Sequence, residues 1–368
     1  MSVRKSFLLS FFAVLCLHFS SYAQSELKWV EASSLNLIGK AFENTPNPYH
    51  RVDTVVYKGF NRTENRQVRC SAGIAILFKT NTRAIEVTTR WGYVYGGTST
   101  MPISYKGYDL YIKDENGKWQ YAASGTSKTY RRGDKKETFP LIFTMDGTMH
   151  ECMLYMPMYS EVLSCQIGVD ADAVIEPLQS EFRHKIAIYG SSYTQGVGTD
   201  RAGMSYPMQF MRNTGLQIVS LATSGRCRMQ PYMADVLADV EADAYIFDTF
   251  SNPDAETIRE RLIPFLDRMV EAHPGKPLIF QRTIYQECRC FEKEIDEFDK
   301  AKEDVVEEMF KAILKDPRYK DVYLITPKAA VSHDNTVDGT HPNSYGYSLW
   351  AKSIEKPVLK ILRKYGIR

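Results

Sequence analysis

The chain lacks an excess of charge of either sign. Its 368 residues include 46 lysines and arginines and 44 aspartates and glutamates. Residues 1–23 contain Arg4 and Lys5 but no acid, so the remainder carries 44 basic and 44 acidic residues. Binding along a phosphate backbone needs a clustered excess of basic residues. The composition therefore argues against a nucleic-acid partner.

Long apolar segments are missing beyond the N-terminus. The apolar run over residues 7–19 contains His18 and is shorter than the roughly 20 residues that cross a bilayer. It follows Arg4 and Lys5 and precedes Ser20-Ser21-Tyr22-Ala23, which is the order of a signal peptide with a small-residue cleavage site. We predict a protein exported to the periplasm or secreted, cleaved near Ala23, with no stable membrane insertion.

Cysteine is scarce and is not spaced for metal binding. Of the seven cysteines, Cys16 lies in the leader, where the preceding Leu15 disfavours attachment of a lipid. Cys288 and Cys290 are separated by one residue, and no Cys or His pair nearby has structural-zinc spacing. An exported compartment permits disulfides, but the sequence does not determine their connectivity. We interpret the six cysteines outside the leader as buried thiols or disulfide bridges.

The first half of the remaining chain has the period of β-structure. From about residue 29 to residue 176, short alternating or β-branched runs are separated by turn signals such as Gly96-Gly97 and Asp146-Gly147. This predicts an all-β sandwich or jelly-roll domain over residues 24–176. The predicted strands are 52–57, 73–78, 84–89, 108–113, 141–143, 153–157 and 162–169.

After Pro177 strands alternate with longer helical stretches. This order predicts a doubly wound parallel five-stranded sheet with helices on both faces, an α/β domain over residues 177–368. Ligands bind at the carboxyl ends of the strands in such sheets, so chemistry is expected in the loops after the strands. The predicted strands are 185–189, 217–221, 244–248, 278–282 and 322–326, and the predicted helices are 204–212, 230–239, 255–272, 292–314 and 344–364.

The loop after the first of these strands reads G-S-S-Y-T-Q-G over residues 190–196. A serine at a sharp turn from strand to helix exposes its hydroxyl, and its backbone N–H lies where developing negative charge is stabilised. Ser192 is therefore a candidate nucleophile. The alternative is that Ser191 or Ser192 only caps the helix, as most serines in this position do.

The loop after the last strand contains Asp338-Gly339-Thr340-His341-Pro342-Asn343. A serine nucleophile needs a base, and the base needs a carboxylate that orients it. Asp338 and His341 are three residues apart across a glycine-containing turn, close enough for the carboxylate to reach the imidazole. The nearby pair His333-Asp334 has a similar composition and is a competing candidate.

Together the two loops resemble the SGNH or GDSL family of serine esterases, in a branch whose first block reads G-S-S-x-T-Q-G. The resemblance covers about residues 183–368 and implies Ser192 as nucleophile with His341 and Asp338. It also implies an oxyanion hole formed by the N–H groups of Ser192 and Gly225 and by the amide of Asn252. Ser191 replaces the usual aspartate of G-D-S, and the usual asparagine of the second block is absent. A plain turn glycine is the alternative for Gly225, and a turn-forming residue before proline is the alternative for Asn252.

A β-rich domain ahead of the esterase domain resembles two-domain carbohydrate esterases, which implies cleavage of acyl, usually O-acetyl, esters of a glycan. The chemistry requires no metal or organic cofactor. The alternatives are a catalytically silent glycan-binding protein on the same fold, a lipid or thioester acylhydrolase, and transfer of the acyl group to a sugar. The front-domain aromatics either stack on sugars or form core; they are Trp29, Trp91, Tyr93, Tyr95, Tyr108 and Trp119. Further polar residues near the loops are Tyr193, Gln195, Arg226, Arg228 and Arg282.

Overall fold

The computed structural model describes residues 26–94, 96–128 and 133–368. The predicted leader with its cleavage point near Ala23 and the aromatic residue Tyr95 lie outside these residues. In the described part of the chain, no helix is both long and apolar enough to cross a membrane.

The first part of the chain forms two antiparallel sheets, which confirms the prediction of a β-rich N-terminal domain. One sheet has the strand order β1-β9-β4-β7, and the other has the order β10-β3-β8-β5-β6 with β2 paired to the edge of β3. The elements are β1 (Leu27–Glu31), β2 (Asn36–Ile38), α1 (Arg62–Val68), β3 (Ala75–Thr80), β4 (Ile85–Val94), α2 (Pro102–Tyr105), β5 (Tyr108–Lys113), β6 (Trp119–Gly125), β7 (Gly133–Ile142), β8 (His150–Tyr155), β9 (Ser160–Asp170) and β10 (Ile175–Pro177).

Alternation along β4 shows how this domain is held together. Ile85, Val87, Thr89 and Trp91 are fully buried, and the residues between them are mostly less buried. Successive side chains of a strand point to opposite faces, so one face of β4 supplies the core. Trp91 also packs near the ring of Tyr108 from the other sheet, at 6.3 Å between ring centroids.

The predicted strand over residues 52–57 is wrong. The segment turns because the Asp53 carboxylate accepts hydrogen bonds from the backbone N–H groups of Val55 (2.7 Å) and Val56 (3.3 Å), a local geometry that competes with strand pairing. Helix α1, which the pattern did not predict, begins with a capping box between Asn61 and Glu64. The segment before β3 therefore forms turns and a helix instead of a strand.

The second part of the chain confirms the predicted parallel sheet of five strands. The order is β12-β11-β13-β14-β15, and every pair is parallel. The strands are β11 (Arg183–Gly190), β12 (Leu216–Ser220), β13 (Ala244–Asp248), β14 (Leu278–Gln281) and β15 (Val322–Ile325). The helices are α3 (Ser192–Gln195), α4 (Tyr206–Thr214), α5 (Pro231–Ala238), α6 (Ala255–Ala272), α7 (Lys293–Ile313) and α8 (Ser344–Leu362).

The two faces of this sheet have different neighbours. Helices α4 and α8 cover one face, and their apolar residues form one continuous core with the β-rich domain. Helices α5, α6 and α7 cover the other face, where Val52 and Val68 from the front of the chain are also buried. The β-rich domain is thus packed against the α/β domain, which lets it reach the loops above the sheet.

Two buried polar contacts lock the parts together. Arg51 is fully buried and donates to the carbonyl oxygens of Cys70 (2.8 Å), Gln67 (2.6 Å) and Ser220 (3.1 Å), the last at the end of β12. On the opposite side, Asp109 on β5 is buried, accepts from the N–H of Gly203 (2.8 Å) and pairs with Arg201 (3.2 Å). Burial raises the pKa of Asp109 to about 6, although Arg201 and the Gly203 N–H oppose the shift.

Candidate active site

Ser192 is placed by a sharp turn at the end of β11. Gly190 closes the strand, and a Cβ at this position would overlap the Thr194 hydroxyl, so the turn requires glycine. Ser191 caps helix α3 by accepting from the N–H of Tyr193 (3.2 Å), and Ser192 is the first helical residue. Its N–H has no acceptor within the helix. Capping and exposure of the reactive hydroxyl are therefore divided between the two serines.

The structure brings Ser192, His341 and Asp338 into one hydrogen-bonded chain. The Nε2 atom of His341 lies 2.9 Å from Ser192 Oγ, and its Nδ1 atom lies 2.9 Å from Asp338 Oδ2. Ser192 retains 8% of its surface, enough for the hydroxyl to face the cleft. This is the geometry in which an imidazole takes a proton from a serine while a carboxylate holds its orientation.

Asp338 is held by the turn that also carries His341. Its Oδ1 atom accepts from the backbone N–H groups of Thr340 (3.1 Å) and His341 (2.8 Å). Burial alone raises the pKa of Asp338, but hydrogen bonds from the His341 ring, the His341 N–H and Ser99 outweigh burial and hold that pKa well below its usual range. The ionised carboxylate keeps Nδ1 protonated and leaves Nε2 free to accept the serine proton.

The competing pair His333-Asp334 does not join this arrangement. His333 is exposed and its Nδ1 atom lies 3.7 Å from the Sγ atom of Cys290. Neither residue is among the described residues that line the cleft above Ser192. The two pairs have the same composition and are only four to eight residues apart in the chain, but their side chains have different surroundings.

Gly225 and Asn252 lie in the same cleft as Ser192 and His341. Gly225 has φ +68° in a turn closed by the hydrogen bond from the Arg226 N–H to the Thr223 carbonyl (3.0 Å); a left-handed residue at this place favours glycine. The side-chain Oδ1 atom of Asn252 accepts from the N–H of Cys227 (3.1 Å). The turn and this hydrogen bond hold both residues at the cleft that contains Ser192.

A buried carboxylate that the sequence reasoning missed supports the nucleophile turn. Asp248, the last residue of β13, accepts from the hydroxyls of Ser191 (3.0 Å) and Thr194 (2.9 Å). Burial raises its pKa to about 7, and the hydrogen bonds from Thr194 and Ser191 oppose that shift. The carboxylate that resembling esterases carry in the position of Ser191 thus has a counterpart here, entering from the neighbouring strand.

The β-rich domain holds the turn that presents Gly225. The Gln67 amide donates to the carbonyl oxygen of Ser224 (2.9 Å), and the Tyr159 hydroxyl lies 3.2 Å from the Ser224 hydroxyl. From the other side, Gln195 on α3 accepts from the N–H of Ser224 (3.1 Å) and donates to the carbonyl oxygen of Met158 (3.1 Å). No local pattern indicates these contacts, because their partners are remote in sequence.

The cleft has a volume of about 800 Å³ and is shared between the domains. Its lining includes residues of α1, of the loop after β4 and of α7. Tyr193, whose ring lies 5.4 Å from the His341 ring, forms part of the floor. The lining residues from these and nearby segments are Thr63, Gln67, Gly97, Thr98, Ser99, Thr100, Tyr159, Ile295, Phe298, Asp299 and Lys302.

Several residues considered from the sequence have other surroundings. Trp91 and Tyr108 are fully buried, so they form core and do not stack on a ligand. Gln195 is also buried and connects loops. Arg282 pairs with Glu307 (2.6 Å) and is not among the described residues lining the cleft. Arg226 and Arg228 do line it.

The cysteines outside the leader are all free thiols, four of them buried. Among the described residues, no group of three or more His, Cys, Asp or Glu side chains is arranged to hold a metal ion.

Comparison with known families identifies two matching segments. Residues 183–360 match the model of the GDSL-like lipase/acylhydrolase family, and residues 27–175 match the model of the N-terminus of SGNH-hydrolase-type esterases, which is named for the pattern G-x-D-L-Y. The pattern occurs in this chain as Gly107-Tyr108-Asp109-Leu110-Tyr111. This segment contains Asp109, the residue that contacts Gly203 and Arg201 in the second domain.

Solved structures resemble the whole chain. A protein described as a GDSL-like lipase, from Bacteroides ovatus, is 34% identical with a TM-score of 0.86, covering 92% of this chain and 98% of its own. The salicylyl-acyltransferase SsfX3 of a tetracycline biosynthetic pathway is 17% identical (TM-score 0.68, 93% and 99% covered). A family two carbohydrate esterase from Cellvibrio japonicus is 13% identical (TM-score 0.56, 92% and 99% covered). At these lower identities the likeness shows the fold alone. No protein with a curated functional description matches.

Proposed function

Because the chain belongs to the GDSL-like lipase/acylhydrolase family, we propose that it is an exported serine esterase that hydrolyses acyl esters of carbohydrates, most simply O-acetyl esters, through an acyl-serine intermediate. The observation that carries the proposal is the hydrogen-bonded chain from Ser192 through His341 to Asp338, with 2.9 Å at each link.

In the first step Ser192 Oγ attacks the carbonyl carbon of the ester. His341 Nε2 takes the hydroxyl proton, and the Asp338 carboxylate stabilises the imidazolium that forms. The carbonyl oxygen becomes an oxyanion that accepts from the N–H groups of Ser192 and Gly225 and from the Asn252 amide. His341 then protonates the leaving sugar oxygen, and the acyl group stays on Ser192.

In the second step water attacks the acyl-serine carbonyl, with His341 again taking the proton. The same donors stabilise the second oxyanion, and collapse of the intermediate releases the acid and restores the Ser192 hydroxyl. Loss of one oxyanion donor typically lowers the rate about 100- to 1,000-fold. Substitution of Asn252 is therefore expected to reduce activity less than substitution of Ser192.

The carbohydrate part of the proposal is supported by the lining of the cleft. Many of the residues that line the cleft carry hydroxyl or amide side chains, including Thr63, Thr98, Ser99 and Gln286, and such groups pair with sugar hydroxyls. A fold relative, the family two carbohydrate esterase from Clostridium thermocellum, was solved with cellohexaose. The export part rests on the leader pattern before residue 24.

The alternatives are less well supported. A silent glycan-binding protein does not need a serine, a histidine and an aspartate at hydrogen-bonding distance. A lipid acylhydrolase is expected to have an apolar binding surface, whereas this cleft is bordered mainly by hydroxyls, amides and charges. Transfer of the acyl group to a sugar uses the same first step, so the products must distinguish it from hydrolysis.

The test is release of acetate from 4-nitrophenyl acetate and from acetylated glycans by the wild type and by Ser192→Ala. Ser332→Ala is the matched control, because Ser332 is exposed on the loop that carries His341 and is outside the described cleft lining. We expect activity in the wild type and the control and its loss in Ser192→Ala. Equal activity of Ser192→Ala and wild type would contradict the proposal, and acetylated sugar instead of free acetate would indicate transfer.

A further inference from the structure

The charged residues of the cleft are predominantly basic. Arg226, Arg228 and Lys302 line it, and Asp299 is the acidic residue among the described lining residues. Lys302 and Asp299 are both buried and pair with each other at 2.5 Å, and Lys302 also donates to the carbonyl oxygen of Ser251 (3.2 Å). Because this pair is internally neutral, the two arginines determine the sign of the charge that the cleft presents.

The two arginines have no acidic contact of their own. Within residues 26–94, 96–128 and 133–368, neither side chain forms an ion pair or a hydrogen bond. Arg228 is exposed and has a longer-range electrostatic interaction with Asp254. Arg226 is half-buried and has no comparable interaction with an acidic side chain among the described residues. A partly desolvated guanidinium facing a cleft is therefore available for an anion brought by a ligand.

Arg226 is adjacent in the chain to the proposed oxyanion donor, so its positive charge lies near the ester. Arg226 follows Gly225 directly, in the turn closed by its own N–H. That turn is held by Gln67 and Gln195 through Ser224, so Arg226 is anchored on a rigid segment beside the proposed oxyanion donor. An anion bound there lies close to the bond that is cleaved.

We propose that the substrate is an acylated acidic sugar, whose carboxylate is bound by Arg226 next to the ester, with Arg228 adding to the positive field at the mouth. This inference rests on the proposed esterase function and specifies its substrate class. A carboxylate fits because the planar guanidinium presents two parallel N–H donors to its two oxygens. Arg226 would thus determine specificity between acidic and neutral sugars.

The first experiment compares two esters that differ at one group: an O-acetyl methyl glucuronoside and the corresponding O-acetyl methyl glucoside. A charged hydrogen bond of this kind predicts a kcat/KM about 10- to 100-fold higher for the acidic ester. In Arg226→Gln the ratio is expected to fall close to one, and in Arg226→Lys, which keeps the charge but not the fork, to an intermediate value. High salt should lower the wild-type ratio.

The control is Arg282→Gln, because Arg282 pairs with Glu307 and lies outside the described cleft lining; it should keep the wild-type ratio. A wild-type ratio near one, or a ratio that survives in Arg226→Gln, overturns the inference. An equal preference for the O-acetyl ester of a sugar that carries a sulfate group and no carboxylate overturns the carboxylate assignment.

Binding separates this inference from the esterase proposal. Calorimetric titration of Ser192→Ala with a glucuronate-containing oligosaccharide and with its carboxyl-reduced form needs no turnover. Tighter binding of the acidic form without hydrolysis by the wild type would overturn the esterase proposal and support anion recognition. Hydrolysis of 4-nitrophenyl acetate without any acidic preference, in turnover or in binding, would support the esterase proposal and overturn the inference.

Discussion

Asp248→Asn is expected to change how folding stability depends on pH. The Asp248 side chain is fully buried, its Oδ2 atom accepts from Ser191 and Thr194, and its Oδ1 atom has no hydrogen-bond partner among the described residues. Asparagine has nearly the same shape and retains an acceptor for these hydroxyls, but it does not ionise. The substitution therefore removes the charge and keeps most of the packing.

The magnitude follows from the pKa of Asp248. Burial raises that pKa to about 7 in the folded protein, compared with about 3.9 in an unfolded chain. At a pH between these two pKa values, Asp248 is protonated in the folded state and ionised in the unfolded state. The free energy of unfolding of the wild type therefore falls as the pH rises, by about 4 kcal/mol in total. Between pH 5 and pH 8 the loss from this group is about 3 kcal/mol. Asp248→Asn does not have this loss. Its unfolding free energy relative to that of the wild type should therefore increase by about 3 kcal/mol between pH 5 and pH 8.

The assay is urea unfolding followed by tryptophan fluorescence at pH 5 and pH 8. Asp172→Asn serves as the control, because Asp172 is exposed, and it should follow the wild type at both pH values. If the difference in unfolding free energy between Asp248→Asn and wild type is the same at pH 5 and pH 8, Asp248 does not titrate in this window and the reasoning is refuted.

Three further predictions concern the site and the domain contact. Asp338→Asn should lower kcat on 4-nitrophenyl acetate about 10,000-fold by reversing the His341 tautomer; a loss below tenfold would contradict its orienting role. Gln67→Ala should lower kcat about tenfold with little change in KM, because an oxyanion donor loses its support; an unchanged kcat would show that Gly225 is held without it. Arg51→Ala removes buried hydrogen bonds to three carbonyl oxygens and should lower the unfolding free energy by about 3 to 5 kcal/mol in urea titration; a loss under 1 kcal/mol would contradict the account.

The sequence alone was sufficient to predict the five strands of the second domain and their arrangement in a parallel sheet. Alternating strand and helix periods between residues 183 and 368 predicted five strands, and each is observed within a few residues of its predicted ends. Local spacing also indicated the pairing of Asp338 with His341, because three residues across a turn bring the carboxylate to the imidazole. Such features depend on interactions between near neighbours in the chain, which a pattern of residues encodes directly.

The tertiary structure decided what surrounds these residues. Asp248 approaches Ser191 because β13 lies beside β11, and Gln67 reaches Ser224 because α1 packs against the second domain. Segment 52–57 turns away from a strand because Asp53 binds its own backbone and Val52 is buried in the other domain's core. Contacts between residues more than 50 positions apart depend on how sheets and domains dock, and no local period specifies that docking. The sequence thus determined the elements of the parallel sheet and the reactive pair, and the docking of the domains decided the charge, shape and support of the cleft.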